Sequence, residues 1–277
     1  MNIESEIRKP AVAGLFYSAQ KETLEREVAV FLENAQTDMV INRVFGLISP
    51  HAGYMYSGGV AARAYRQIVD RKFDTVVVIS PSHRVYFEEV SVYHGKGYST
   101  PLGVLEVDRE VASALVDAHE NIIFSDLGHD KDEHALEVQL PFLQHVLDDF
   151  KIIPIAMGNQ DMENITILSD ALSRVLMEKN ALVVASSDLS HYHRHDRAAL
   201  LDKVVFDAVN NFDEEKLYRD LQDGLCEMCG GGPVITTMKV CRNLGAKRSK
   251  VLLYRNSGDI TGERNQVVGY LSAILYK

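Results

Sequence analysis

Several features are scarce or absent in this 277-residue sequence, and most of them exclude a class of protein. It has only three cysteines, an odd number that does not fit the disulfide framework of a secreted protein. Its 29 basic residues are outnumbered by 39 acidic ones, and the net charge of −10 argues against a broad nucleic-acid or anionic-membrane surface. Tryptophan is also absent, which excludes nothing.

Long apolar runs are missing as well. No stretch approaches the ~20 apolar residues that cross a bilayer, and residues 1–17 carry charges where a signal peptide needs an apolar core. No linker, repeat or low-complexity segment interrupts the chain. We therefore expect a cytoplasmic protein with one domain over residues 1–277, whose core needs neither a disulfide nor zinc.

Short, wholly apolar runs alternate with amphipathic segments over most of the chain. Val44–Ile48, Thr75–Ile79 and Leu182–Ala185 are typical of strands buried on both faces of a sheet. The alternation predicts an α/β fold with a central, mixed but mostly parallel sheet flanked by helices. The last two predicted strands, 251–255 and 266–276, are joined by a polar loop and are expected to form an antiparallel edge.

Three further segments have predicted conformations that bear on the site. Tyr54 and Tyr56 are placed on a glycine-flanked loop, where they either line a pocket or belong to the core. Residues 98–103 are predicted as a loop. Residues 133–147 are predicted as a helix that is interrupted or bent near Pro141.

Polar residues that can bind a metal follow all three buried strands. The first two strands lead through Ile-Ser-Pro to His51 and to His83, and the third leads to Asp188 and His191. Ligands of open α/β sheets bind outside the carboxyl ends of the strands, so we expect these residues to share one site. The alternative is a set of separate loop histidines that are bonded to the backbone.

The segment 186–193 is dense in groups that can act in catalysis. Asp188 is a candidate metal ligand, or an acceptor that fixes the tautomer of a ligand histidine, unless it is simply a helix N-cap. His191 is a candidate ligand or general base, because the pKa of histidine lies near neutral pH. His193 and His195 are expected at a solvated helix start.

Cys229 opens a Cys-Gly-Gly-Gly-Pro segment just before a predicted helix. The positive end of a helix dipole favours a thiolate, and a thiolate is a good ligand for zinc, iron or copper. We therefore predict that the pKa of Cys229 lies below the usual ~8.5. Cys226 and Cys241 are interpreted as small buried hydrophobic residues.

His134 is a candidate catalytic residue in the segment 133–137, which lacks the two-histidine spacing of a zincin. On a helix, His134 and Glu137 share one face. We expect that polar face to look into a pocket.

Six motifs between residues 8 and 192 carry a resemblance to a known family, and the match runs from about residue 8 to the C-terminus. They are RKPAVAGLFY (8–17), PHAGY (50–54), PSH (81–83), YSTPLG (98–103), EHALEVQLPF (133–142) and SDLSHY (187–192). In these motifs the chain resembles the MEMO family, which is called AmmeMemoRadiSam system protein B in prokaryotes.

The resemblance implies a LigB-like dioxygenase architecture, because the family is similar to the class III extradiol dioxygenases, which are non-haem iron enzymes. It implies His51, His83 and Cys229 as metal ligands for iron or copper, with Asp188 and His191 beside them. Those dioxygenases use two histidines and a carboxylate, so a cysteine in the third position departs from their pattern.

Three functions stay open on this basis: a metal-dependent redox enzyme, a metal carrier, and a non-catalytic module that holds a peptide or protein partner in the cleft. The presence of His51, His83 and His191 favours a working site. The resemblance implies AMMECR1-like and radical SAM proteins as partners, besides an unknown small molecule or peptide. Neither nucleic acid nor membrane is an expected partner.

Overall fold

Strands and helices alternate through residues 6–35 and 41–277, which are the residues that the computed structural model describes. The strands are β1 Ile7–Arg8, β2 Val44–Ser49, β3 Thr75–Pro81, β4 Val90–Tyr93, β5 Gly97–Thr100, β6 Gly103–Glu106, β7 Ile122–Ser125, β8 Lys151–Met157, β9 Ala181–Ser186, β10 His191–His193, β11 Arg248–Asn256 and β12 Val267–Tyr276. The helices are α1 Lys21–Glu33, α2 Tyr54–Tyr65, α3 Arg109–Val116, α4 Leu140–Val146, α5 Met162–Leu176, α6 His195–Asn210, α7 Glu214–Gln222, α8 Gly231–Asn243 and α9 Ser257–Thr261. Residues 1–5, part of the charged N-terminal segment considered above, lie outside the described residues.

The main sheet has the strand order β10-β12-β2-β9-β3-β8-β4-β7, and β11 pairs with β12. Its centre, β2-β9-β3-β8, is parallel, whereas β10 and β11 both pair antiparallel with β12, which in turn lies antiparallel to β2. A small second sheet joins β1, β5 and β6. The predicted α/β fold, with a mixed sheet, flanking helices and an antiparallel edge made by the last two strands, is confirmed.

The central strands β2, β3 and β9 are buried along their whole length, as their apolar sequences predict. One contact on β2 is unusually close. A Cβ added at Gly46 would come within 2.6 Å of the Cys241 sulfur on α8 and 2.8 Å of the Val183 carbonyl oxygen. Glycine at this position therefore allows α8 to lie directly against β2.

Two predicted loops are regular structure instead. Residues 98–103 contribute to β5 and β6, which pair antiparallel while Tyr98 of β5 pairs with Arg8 of β1. Helix α2 begins at Tyr54, so Tyr54 and Tyr56 belong to its first turn. Strand β5 pairs with β1, and the first N–H of α2 donates to the Phe16 carbonyl at 2.7 Å. These partners lie far away in the sequence, so a local pattern does not reveal them.

The helix predicted over residues 133–147 begins later than expected. Residues 133–136 form an irregular turn, a 3-10 helix spans Glu137–Gln139, and α4 follows. Pro141 lies in the first turn of α4, where its missing N–H costs no helical hydrogen bond, so it starts the helix and does not bend it. The segment between β11 and β12 likewise contains α9, which a capping box at Asn256 begins.

No helix within the described ranges is long and apolar enough to cross a membrane.

Candidate metal centre

The carboxyl ends of β2, β9 and β3 lie side by side, because β9 pairs in parallel with both neighbours. His51 follows β2, His83 follows β3 and Asp188 follows β9. The ring centroids of His51 and His83 are 5.1 Å apart, and both rings line one pocket with Asp188 and His191. The structure thus brings together the residues that follow the three buried strands.

His51 is buried and held by residues at the end of β9. Its backbone N–H donates to Asp188 Oδ1 at 2.8 Å, and its Nδ1 lies 2.9 Å from Ser186 Oγ. The Ser186 hydroxyl donates its one proton to the Ala135 carbonyl at 2.6 Å and accepts from Gln139 Nε2 at 2.8 Å. Ser186 therefore accepts from His51 as well. It follows that Nδ1 of His51 carries the proton and that Nε2 has a free lone pair.

His83 is supported by a carboxylate. Glu133 Oε2 accepts the backbone N–H of His83 at 2.5 Å, and Glu133 Oε1 lies 3.1 Å from Nδ1 of the ring. Burial opposes the charge of Glu133, but hydrogen bonds from His83 and from the Ala135 N–H outweigh burial and lower its pKa to about 2. The carboxylate is therefore ionised and accepts from Nδ1, so Nε2 is the ring nitrogen of His83 that remains for a metal.

Cys229 lies close to both His51 and His83. Its sulfur lies 3.3 Å from His51 Nε2, and one ligand atom from each of His51, His83 and Cys229 lies within 4.8 Å of the other two. Cys229 directly precedes Gly230, the N-cap of α8, and the backbone N–H of Asp188 donates to its sulfur at 3.2 Å. The position before a helix is as the sequence predicted.

The predicted low pKa of Cys229 is wrong for the metal-free site. Burial, and after it the negative charge of Asp188, raises the pKa of the thiol to about 12, despite hydrogen bonds from the Asp188 N–H and Ser187. Burial likewise raises the pKa of Asp188 to about 7. The end of one helix does not replace the hydration that a buried thiolate loses, whereas a bound cation would favour the thiolate.

His134 lies in the pocket, but it does not share a helical face with Glu137. Its ring stacks on that of His83, with centroids 4.8 Å apart and planes at 21°. Glu137 instead accepts a hydrogen bond from Arg8 at 2.6 Å. The prediction of a shared face is wrong because residues 133–136 are not helical.

Burial shifts the pKa values of three groups in the pocket, His134, His191 and Asp188, toward their neutral forms. Burial lowers the pKa of His134 to about 4, despite the nearby charge of Glu133, and burial also lowers the pKa of His191. Asp188, with its pKa raised to about 7, titrates near neutral pH. It is not the N-cap of α6, because that position belongs to Arg194.

The remaining histidines and cysteines considered in the sequence lie outside the pocket, namely His193, His195, Cys226 and Cys241. His193 and His195 are bonded to surface carboxylates at 2.9 Å and 3.2 Å, and α6 begins at His195. Cys226 and Cys241 are buried, and burial raises the pKa of both thiols. Their interpretation as small hydrophobic residues is confirmed.

The pocket has a volume of about 430 Å³, which suits a small molecule. Its lining residues are Leu15, Phe16, His51, Ala52, Gly53, Tyr56, His83, His134, Asp188, His191, Tyr192, Val268 and Tyr270. Tyr56 therefore lines the pocket, whereas Tyr54 is a buried core residue. Histidines and a carboxyl group lie beside aromatic and aliphatic side chains in this lining.

The residues that orient the histidines are not predicted by the sequence patterns. Glu133 directly precedes His134, and Ser186 ends a buried strand, but neither position indicates that the side chain orients a histidine from another segment. A polar side chain at the end of an otherwise apolar strand needs a hydrogen-bond partner, and that requirement is the one signal that points to Ser186.

These features define an α/β protein with a His/His/Cys group of metal-ligand type at the carboxyl ends of parallel strands. The chain belongs to the family described as Memo-like protein, whose model matches residues 8–274. A MEMO1 family protein of Methanosarcina mazei is 41% identical over 277 residues, which cover 98% of this chain and 99% of that protein. A MEMO1 family protein of Methanobrevibacter smithii is 37% identical over 97% of this chain and 99% of its own length.

The fold is also similar to that of a solved structure with little sequence identity. The crystal structure of the uncharacterized protein JW3007 from Escherichia coli K12 superposes with a TM-score of 0.58 at 13% identity. The match covers 84% of this chain and 99% of that one. This likeness concerns the fold alone.

Proposed function

We propose that His51, His83 and Cys229 hold iron or copper, and that the protein performs a metal-dependent redox reaction on a small molecule in the adjoining pocket. The observation that carries the proposal is the set of three ligand atoms within 4.8 Å of one another, since both imidazoles direct their protons to fixed acceptors. Two imidazoles and a thiolate suit both metals. Bound iron or copper would supply one-electron redox chemistry.

A second group that could hold a metal is made by His83, Glu133 and His134. Glu133 is less suited to ligation, because its two oxygens already accept from the N–H groups of His83, His134 and Ala135 and from the His83 ring. Its geometry is that of a carboxylate that orients a ligand histidine. This favours the group with Cys229 as the metal site.

Asp188, His191 and His134 are the proposed acid–base residues. The carboxyl group of Asp188 can hold or release a proton near neutral pH, because burial raises its pKa to about 7. His134 and His191 are predominantly neutral at that pH and can accept a proton. A thiolate replaces the carboxylate that extradiol dioxygenases use, so the proposal is a redox reaction and does not specify ring cleavage.

The test is metal analysis of protein purified under anaerobic conditions without added metal. His51→Ala, His83→Ala and Cys229→Ala should each lower the affinity for iron or copper by ~10-fold or more, since loss of a ligand should cost at least as much as loss of the group that orients it. His193→Ala is the matched control, because His193 bonds a surface glutamate outside the pocket. Unchanged metal content in all three ligand variants would contradict the assigned site.

A non-catalytic module that binds a peptide or protein in the cleft is the second candidate. It is favoured by two exposed apolar residues among those that line the pocket, Leu15 at 80% and Tyr192 at 71% exposure. Peptide binding measured by fluorescence polarisation should weaken in Leu15→Ser and Tyr192→Ser, and equal binding would reject this candidate. AMMECR1-like and radical SAM partners and a cytoplasmic location stay predictions.

A further inference from the structure

We propose that Arg8 is a positioning residue for the metal group and acts through Glu133 on His83. The inference rests on the proposed metal function, although its main test does not require a metal. Arg8 is not among the described residues that line the pocket, and it is 7% exposed in the small second sheet. Its influence on the site therefore has to pass through other residues.

The guanidinium group of Arg8 binds three carbonyl oxygens of one segment. Its Nε donates to His129 O at 2.9 Å, and its Nη2 donates to Asp130 O at 3.0 Å and to Glu133 O. A planar fork with five N–H donors can satisfy three such acceptors at once, whereas a lysine ammonium cannot reproduce that arrangement. Arg8 thus holds the backbone of residues 129–133 in one conformation.

The same guanidinium is itself held in place. Its Nη1 forms a buried ion pair with Glu137 at 2.6 Å, and its Cζ lies over the ring of Tyr98, 4.8 Å from the centroid. Glu137 also accepts from the Ala11 N–H at 2.7 Å and from the Tyr17 hydroxyl at 2.6 Å. Because each partner has several bonds, Arg8 is a rigid support for the segment.

Glu133 connects this support to the metal group. Its carbonyl oxygen is bound by Arg8, and its carboxylate accepts both the backbone N–H and the Nδ1 of His83. Displacement of the Glu133 backbone would move the carboxylate away from Nδ1. The His83 ring could then carry its proton on Nε2, the atom that must be free to bind a metal.

A purely structural role for Arg8 is the competing explanation, and Arg242 provides a matched control. Arg242 also pairs with a carboxylate, Glu214, at 2.9 Å and 2.7 Å, and it also binds a backbone carbonyl and stacks on an aromatic ring. Among the residues that the structure describes, Arg242 forms no hydrogen bond or ion pair with Glu133 or His83. Arg242→Lys should therefore lower stability without any effect on His83.

The experiment is NMR of the metal-free protein labelled with ¹⁵N-histidine, which reports the tautomer of each ring. Wild type should show His83 protonated at Nδ1, and Arg8→Lys should shift His83 toward the Nε2-protonated form. In a parallel titration with Fe²⁺ under anaerobic conditions, Arg8→Lys should lower affinity by ~10-fold. Glu133→Gln should abolish the effect of Arg8→Lys, so that the double variant binds Fe²⁺ no more weakly than Glu133→Gln alone.

The outcomes separate the two proposals. If Arg8→Lys loses stability as Arg242→Lys does but leaves the His83 tautomer unchanged, the positioning role is wrong. If the tautomer shifts while wild type binds neither iron nor copper, the positioning role holds and the proposed function fails. Should Arg8→Lys not fold, Glu137→Gln removes the ion pair and leaves Arg8 in the chain. A smaller tautomer shift is then expected, and no shift would overturn the inference.

Discussion

His51 and His83 follow the same Ile-Ser-Pro sequence at the ends of two parallel strands, yet the protein orients them by different means. His51 is buried and donates from Nδ1 to the hydroxyl of Ser186, whereas the His83 side chain is 27% exposed and donates to the carboxylate of Glu133. A carboxylate acceptor makes an imidazole a more basic ligand. Similar local sequences therefore bring both histidines to the same edge of the sheet, while distant residues decide the electronic character of each ring.

Among the variants that test the difference between His51 and His83, Glu133→Gln should have the largest effect on metal affinity. Glu133→Gln removes the negative charge of the group that accepts the hydrogen bond from Nδ1 of His83. Metal affinity should therefore fall by ~10–100-fold. A competition titration against a chelator under anaerobic conditions measures the change. Glu227→Gln is the matched control, because Glu227 bonds the surface residue His193 at 2.9 Å, and an equal loss in both variants would remove the special role of Glu133.

Ser186→Ala should lower metal affinity less than Glu133→Gln does, but it should lower the free energy of unfolding more. Ser186→Ala leaves His51 Nδ1 without a buried acceptor and leaves the Gln139 amide with the Pro50 carbonyl as its remaining acceptor, which should lower the free energy of unfolding by ~1–3 kcal/mol. Metal affinity should fall by less than in Glu133→Gln, because only a neutral acceptor is lost. Urea unfolding and the same titration measure both quantities.

Ser173 provides the control for that variant. It is also buried, donates to the Ser169 carbonyl at 2.6 Å and accepts from Asn243 at 3.0 Å. Ser173→Ala should lose comparable stability and keep its metal affinity. If Ser186→Ala weakens metal binding more than Glu133→Gln does, the contrast between the two histidines is reversed.

The smallest expected effect concerns acidification. Burial, with the charges of neighbouring histidines, lowers the pKa of His51 well below 6.5 in the folded metal-free protein. At His51 the unfolded chain therefore binds more protons than the folded one below pH ~6.5, so the contribution of His51 to stability should decline as the pH falls through that range, whereas Asp188, whose pKa is raised, contributes with the opposite sign. NMR should show no titration of the His51 ring between pH 8 and pH 5, and a full titration step there would contradict its buried, neutral state.

The fold and the approach of His51, His83 and Cys229 to one another could be predicted from the sequence because their signals are local. Wholly apolar runs identify β2, β3 and β9, and residues with strong metal chemistry, His51, His83 and Cys229, follow strands or precede a helix. The sequence cannot report burial, which reverses the expected pKa shift of Cys229. The roles of Glu133 and Ser186 also depend on contacts between segments that are far apart in the chain.

Gly46 has a mechanical consequence for the site. Helix α8 contacts β2 at Gly46 through Cys241, and its other end begins just after Cys229, whereas His51 lies just beyond the end of β2. A helix of 13 residues is ~20 Å long, so a small tilt forced at Gly46 becomes a larger displacement at the thiol. The absence of a side chain at Gly46 therefore helps to determine the distance between the Cys229 sulfur and the His51 imidazole.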